Sequence, residues 1–119
     1  MTLVHASPWS LWHAPAAEAS DDELESVYQR LGAPMAVYGH IHCPFVRHVG
    51  ETTVVNTGSV GLPYDGDRRA AYLLLDDFTP AIRRVEYDID AEIKALAGSG
   101  IPHADWVAKM LQSARPCMP

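Results

Sequence analysis

The chain has 119 residues, 48% hydrophobic and 20% charged, a composition that suits one packed domain and excludes disorder or low complexity. A formal charge of -6, with basic pairs only at Arg68-Arg69 and Arg83-Arg84, disfavours a surface for nucleic acid or anionic lipid, which needs clustered Lys and Arg. The longest apolar run, AAYLLL at 70–75, is far below the roughly 20 residues that span a bilayer, and the first residues lack the basic n-region of a signal peptide, so a cytoplasmic protein is expected.

TLVHA at 2–6 reads as a short strand feeding an aromatic loop, SPWSLWHAPAAEA, broken by two prolines. A helix is predicted from Ser20, where Ser20 and Glu23 form a capping box, Leu24, Val27, Tyr28 and Leu31 make one apolar face, and Gly32 closes the end. MAVYG at 35–39 has the length and continuous apolar character of a buried strand. FVRHVGETTVVN reads as a hairpin turning at Gly50-Glu51, and the glycine-rich stretch NTGSVGLPYDGDRR as a loop. AAYLLLDD and PAIRRVEYDI predict two further strands in the same sheet, joined around Asp77 to Pro80, and the alternation of Ile82, Val85 and Tyr87 among charged residues in the second predicts that one of its faces meets solvent. DIDAEIKALAGSG, closed by Gly98 or Gly100, and PHADWVAKMLQSA, opened by Pro102 in its first turn, predict two terminal helices. The sum is a single domain over 1–119: a sheet-bearing core at 1–90 with a mixed sheet of about five strands, then helices at 91–119. The fold class is α/β, or α+β by local order.

Chemistry concentrates in YGHIHCPF at 38–45. In extended backbone His40 and His42 would project to the same side, with Cα atoms about 6 to 7 Å apart, and such a pair can give one imidazole to each of two ions spaced about 3.5 to 4 Å apart. By itself the pair is also what two hydrogen-bonded or solvated histidines look like. His5 ends another short strand, and sheets with parallel strands gather strand C-termini at one rim, so three imidazoles could meet there. His13, His48 and His103 lie in blander settings and read as structural or solvated. Cys43 and Cys117 fit no CxxC pattern and suggest no disulfide framework; Cys43 reads as a packed thiol beside the turn, its place after HIH leaving a ligand role open.

LVHAS, YGHIHCPF and VVNTGSVGLPYDGDRRAAYLLLD, in this order, resemble the C-terminal part of the calcineurin-like metallophosphoesterases, in particular their small bacterial phosphodiesterase branch. The tail VEYDIDAEIKALAGSGIP is similar to that branch as well. The resemblance implies the C-terminal half of a four-layer α/β/β/α sandwich, in which His5 and His40 ligate the second metal and His42 the first. It places Asn56, Gly58 and Ser59 in the loop beside the bound substrate, where they shape the site through the backbone. It further implies two divalent ions, Mn, Fe, Ni or Zn, and a small-molecule or nucleotide phosphoester as substrate. Thr57 stands where the family usually has proline, and Ile41 where it has threonine.

The family's DxH, GDxxD and GNH turns have no counterpart in this sequence, and Asp65, Asp67, Asp76 and Asp77 lie too late to replace them. The expected consequences are a site without bridging carboxylates, at most one ion held by three imidazoles, doubtful hydrolysis by this chain alone, and one apolar sheet face left uncovered. A homo-oligomer, or association with polypeptide carrying the first half, is expected to cover that face. The rival reading is a catalytically incomplete domain used for binding or assembly; nucleic-acid binding by the terminal helices is disfavoured because they carry few basic residues.

Overall fold

The computed structural model describes residues 1–118. Its elements in chain order are β1 (Thr2–Leu3), α1 (Asp21–Tyr28), a 3-10 turn (Gln29–Leu31), β2 (Met35–Tyr38), β3 (Phe45–Val49), β4 (Thr52–Asn56), β5 (Ala70–Asp76), β6 (Thr79–Val85), α2 (Ile89–Gly98) and α3 (Ala104–Ser113). β1 to β4 form one mixed sheet in the order β1-β2-β4-β3. β1, β2 and β4 run parallel, and β3 returns antiparallel to β4 across Gly50-Glu51. The chain is therefore α/β with a mixed sheet and flanking helices. The strands are, however, divided four and two: β5 and β6 pair only with each other in a separate antiparallel ribbon.

Each face of the four-stranded sheet has its own cover. All four residues of β2 are buried, as a strand packed on both sides requires. Ala36, Tyr38 and Val54 point to the α1 side, where Leu24 and Tyr28 are completely buried against them. Met35, Val37 and Val55 point the other way, onto Leu73 and Leu75 of β5 and Ile82 of β6. Over β2 and β4 the sheet face expected to lie open is thus covered by the chain's own ribbon, whereas Leu3 of β1, on the same face as its partner Val37, stays exposed. Other exposed apolar groups include Trp9, Leu11 and Trp12 in the loop after β1, Tyr72, Leu74 and Val85 on the ribbon's outer face, and Val60, Phe78 and Ile101.

Local chemistry accounts for α1. Ser20 Oγ accepts from the backbone N–H of Glu23 at 3.2 Å, three acidic residues occupy the first turn, and the chain leaves through the 3-10 turn into Gly32, whose φ of 59° is left-handed. Tyr28 Oη donates to the Ala6 carbonyl at 2.6 Å and Tyr38 Oη to the Pro15 carbonyl at 3.1 Å. The helix and β2 thereby tie down the aromatic loop at two points. Arg47 on β3 adds a bond to the Ala19 carbonyl at 2.6 Å and an ion pair with Asp21.

Two boundaries and the facing of one residue differ from expectation. Asp77 and Phe78 alone form the β5–β6 turn, both with positive φ (45° and 62°), the tight twist that two-residue hairpins favour; Pro80 therefore lies inside β6. Val85 is 48% exposed, because the pleat of β6 turns it away from the sheet that Ile82 faces. α3 starts at Ala104 after a left-handed His103 (φ 58°), so Pro102 precedes the helix instead of sitting in its first turn. α2 is capped by Asp88, whose side chain accepts from Ala91 N–H, and runs to Gly98. No helix among the described residues is long and apolar enough to cross a membrane.

Candidate metal centre

Parallel pairing of β1, β2 and β4 brings their C-terminal ends to one rim. His5 lies two residues past β1, His40 and His42 follow β2, and Asn56 closes β4. The β1–β2 pairing continues into the rim, where Val4 N–H donates to the Val37 carbonyl at 3.0 Å and Gly39 N–H to the His5 carbonyl at 3.1 Å. The backbones that carry His5 and His40 are therefore coupled by the sheet.

The two histidines of the turn are not in extended backbone. His40 and His42 both take left-handed conformations, with φ of 59° and 58°, and Ile41 N–H closes a tight turn onto the Gly39 carbonyl at 2.7 Å. A residue other than glycine held there costs about 1 to 3 kcal/mol, so the surrounding structure must enforce it. The effect is to send the two rings to different partners. His40 Nδ1 comes within 3.2 Å of His5 Nε2, the rings meeting edge to face at 5.1 Å. His42 Nδ1 lies 2.8 Å from the Leu62 carbonyl while its ring stacks on Tyr64 at 4.7 Å. A carbonyl only accepts, so His42 carries its proton on Nδ1, and Nε2 of the neutral ring keeps its lone pair.

The facing nitrogens of His5 and His40 are also spaced for a shared ion. Two nitrogens each about 2.1 Å from one metal stand about 3.0 Å apart at a right angle and about 3.4 Å apart at the tetrahedral angle, and 3.2 Å falls between. The third imidazole does not join them. Among the described residues no group of three or more His, Cys, Asp or Glu converges on a point able to hold an ion. The expectation of a single ion held by all three histidines is corrected accordingly: the left-handed turn separates His42 from the His5–His40 pair. The late acids are engaged elsewhere, Asp65 with Arg84 and Asp67 with Arg69. The Arg69 hydrogen bonds hold the Asp67 carboxyl well below the usual range, with Arg84 adding to the effect. Burial, then the charges of Asp65 and Glu18, push the Cys43 thiol up.

Asn56, Gly58 and Ser59 build the wall behind the turn. Asn56 is fully buried; its side chain donates to the Gly39 carbonyl and accepts from Gly58 N–H at 2.9 Å. Gly58 has a φ of 71°, and a Cβ there would come within 2.9 Å of both Ala71 and Pro44. Ser59 Oγ accepts from Leu62 N–H at 3.0 Å, fixing the carbonyl that orients His42. Tyr64 N–H in turn donates to the His42 carbonyl at 3.1 Å. Leu62 and Tyr64 were not singled out from sequence, since a backbone carbonyl and a stacked ring 20 and 22 positions away leave no spacing signal. The remaining histidines stay apart: His13 and His48 are exposed, His48 Nδ1 meeting Thr53 Oγ1 across the hairpin at 2.9 Å, and His103 precedes α3.

Comparison with known proteins bears on the whole arrangement. Residues 2–77 match the model of the calcineurin-like phosphoesterase superfamily domain. The uncharacterized protein MJ0912 of Methanocaldococcus jannaschii is 34% identical over 61% of this chain and 36% of its own length. Among solved structures, a metallophosphoesterase from Sphaerobacter thermophilus is similar with a TM-score of 0.78 at 23% identity, covering 94% of this chain and 54% of that one. The hypothetical protein PH1004 from Pyrococcus horikoshii OT3 has a TM-score of 0.78 at 20% identity, covering 92% of this chain and 44% of that one. The chain thus spans about half or less of the length of these relatives, and the structural likenesses speak to the fold.

Proposed function

Because the chain belongs to the calcineurin-like phosphoesterase superfamily, we propose that it carries the histidine-bearing part of a metal-dependent phosphoesterase site, with His5, His40 and His42 as ligands. The observation that supports this most is the 3.2 Å approach of His40 Nδ1 to His5 Nε2 across the parallel rim. On this reading His5 and His40 share one ion and His42, through its free Nε2, serves a second. Divalent ions of the Mn, Fe, Ni or Zn class suit neutral imidazoles, and two of them would supply the positive charge that activates water and neutralises a phosphoryl group. Asn56, Gly58 and Ser59 hold the loop that faces a small-molecule or nucleotide phosphoester. The carboxylate ligands come from polypeptide outside the described residues, in keeping with relatives roughly twice as long or longer.

The rival is a domain that keeps the scaffold for binding or assembly, and it is favoured by the lack of a three-ligand cluster among the described residues. Elemental analysis of purified protein, and turnover of bis(p-nitrophenyl) phosphate with added Mn²⁺, separate the two. We expect bound transition metal that falls at least about 10-fold in both His40→Ala and His42→Ala, together with any turnover. Wild-type protein that stays metal-free and inactive even when polypeptide carrying the carboxylate ligands is supplied would falsify the phosphoesterase reading for this chain.

A further inference from the structure

Among the described residues, four clefts have walls that do not include His5, His40 or His42. One of about 420 Å³ opens beside the histidine rim. Its apolar walls are Val60 and Leu62 of the loop, Ala70 of β5, Leu96 of α2, and Val107 and Leu111 of α3. Leu111, 5% exposed, belongs to its most deeply buried lining. Two polar side chains, Tyr87 and Glu92, complete the lining. Burial, with Glu92 adding, pushes the Tyr87 phenol up, so it remains a protonated donor at neutral pH. Concave, mostly apolar cavities of about 300 to 1,000 Å³ with few polar groups are the usual form of small-molecule sites. Walls on four different chain segments line an open cleft with room for one or two fused rings. The Glu92 carboxylate repels anions and accepts from a hydroxyl.

One wall residue belongs to both places. Leu62 lines the cleft, while its carbonyl accepts from His42 Nδ1 at 2.8 Å and its N–H is held by Ser59 Oγ at 3.0 Å. A ligand that presses on Leu62 therefore acts on the group that orients His42. We propose that this cleft binds an uncharged hydroxyaromatic ligand and that its occupancy is transmitted to His42 through the Leu62 carbonyl. Neither hydrolysis nor a bound metal is required for this, so it stands or falls separately from the function proposed above.

The test is titration of the metal-free protein with 1-naphthol, followed by NMR on labelled protein. Saturable shifts are expected in the methyl groups of Leu62, Leu96, Val107 and Leu111, and the ring signals of His42 should move with the same saturation curve. The anion 1-naphthoate should bind at least 10-fold more weakly. Glu92→Lys, at an exposed position, should cut that discrimination at least 5-fold, and Leu96→Trp, which fills the cleft, should weaken 1-naphthol at least 10-fold. Shifts confined to the exposed Trp9 and Trp12 loop, saturation that leaves His42 unmoved, or equal binding of naphthol and naphthoate would each overturn the proposal. Glu92→Lys keeps the test decisive if Leu96→Trp fails to fold.

Discussion

The two flanks of this molecule are secured to different depths. On one, α1 drives Leu24 and Tyr28 to complete burial against β2 and β4 and hydrogen-bonds the loop that follows His5. On the other, α2 has no buried residue and α3 contributes Met110 and Leu111. The apolar cleft lies on the second flank. Two left-handed histidines can persist only where packing over-determines the backbone, and here it comes from both sides: Ile41 packs into the α1 cluster, while His42 is held by Leu62 and Tyr64, whose hydroxyl meets Met110 of α3. A cleft that admits a ligand needs walls able to shift, and weakly buried helices supply them.

The sharpest way to break this contrast is truncation on each side. Leu24→Ala should cost about 3 kcal/mol, as deletions from full burial do, whereas Leu96→Ala in α2, partly exposed, should cost under about 1 kcal/mol. Urea denaturation followed by far-UV circular dichroism compares them, and equal losses would erase the distinction between flanks.

Gly58 lies beside the histidine turn, where an added Cβ would meet Pro44 and Ala71 of β5. Gly58→Ala meets both a left-handed φ and contacts of 2.9 Å, and should cost about 2 kcal/mol. It should also shift the NMR ring signals of His42; a stable variant with His42 unmoved would show that this contact does not position the turn.

The smallest effect concerns the loop's attachment to the ribbon through Asp67, Arg69 and Arg84. Asp67 has a depressed folded-state pKa, so its contribution is present above the unfolded value of about 3.9 and is lost as pH falls through and below it. Asp67→Asn should therefore flatten the acid limb of a stability-against-pH curve below about pH 4, with an equally small loss of stability near neutrality, because the pair is solvent-screened. An unaltered acid limb would show that the ribbon's attachment does not use this carboxylate.

Much of the scaffold was legible in the residues. Ser20, Glu23 and Gly32 marked α1 because caps are local chemistry. Val and Thr around Gly50-Glu51 marked the β3–β4 hairpin for the same reason. The ribbon was misplaced into the main sheet because alternation within a strand says which face is apolar but not what will cover it. Val85 shows the same limit, an apolar residue that the pleat turns outward. At the site, His5, His40 and His42 were found as candidates, but Leu62 and Tyr64 were not.

The sequence by itself determined the helices and strands, the placement of three histidines just past strand ends, and membership of a family that the matched residues 2–77 bear out. Those features are written in short-range patterns, in capping, β-branched runs and motif order. Only the tertiary structure decided that His40 and His42 are left-handed, that His40 turns to His5 while His42 turns to a carbonyl 20 residues on, and that an apolar cleft shares a wall with that carbonyl. Those outcomes depend on contacts between segments far apart in the chain, where packing against α1 and the loop after β4 outweighs the extended conformation that His-X-His would otherwise take.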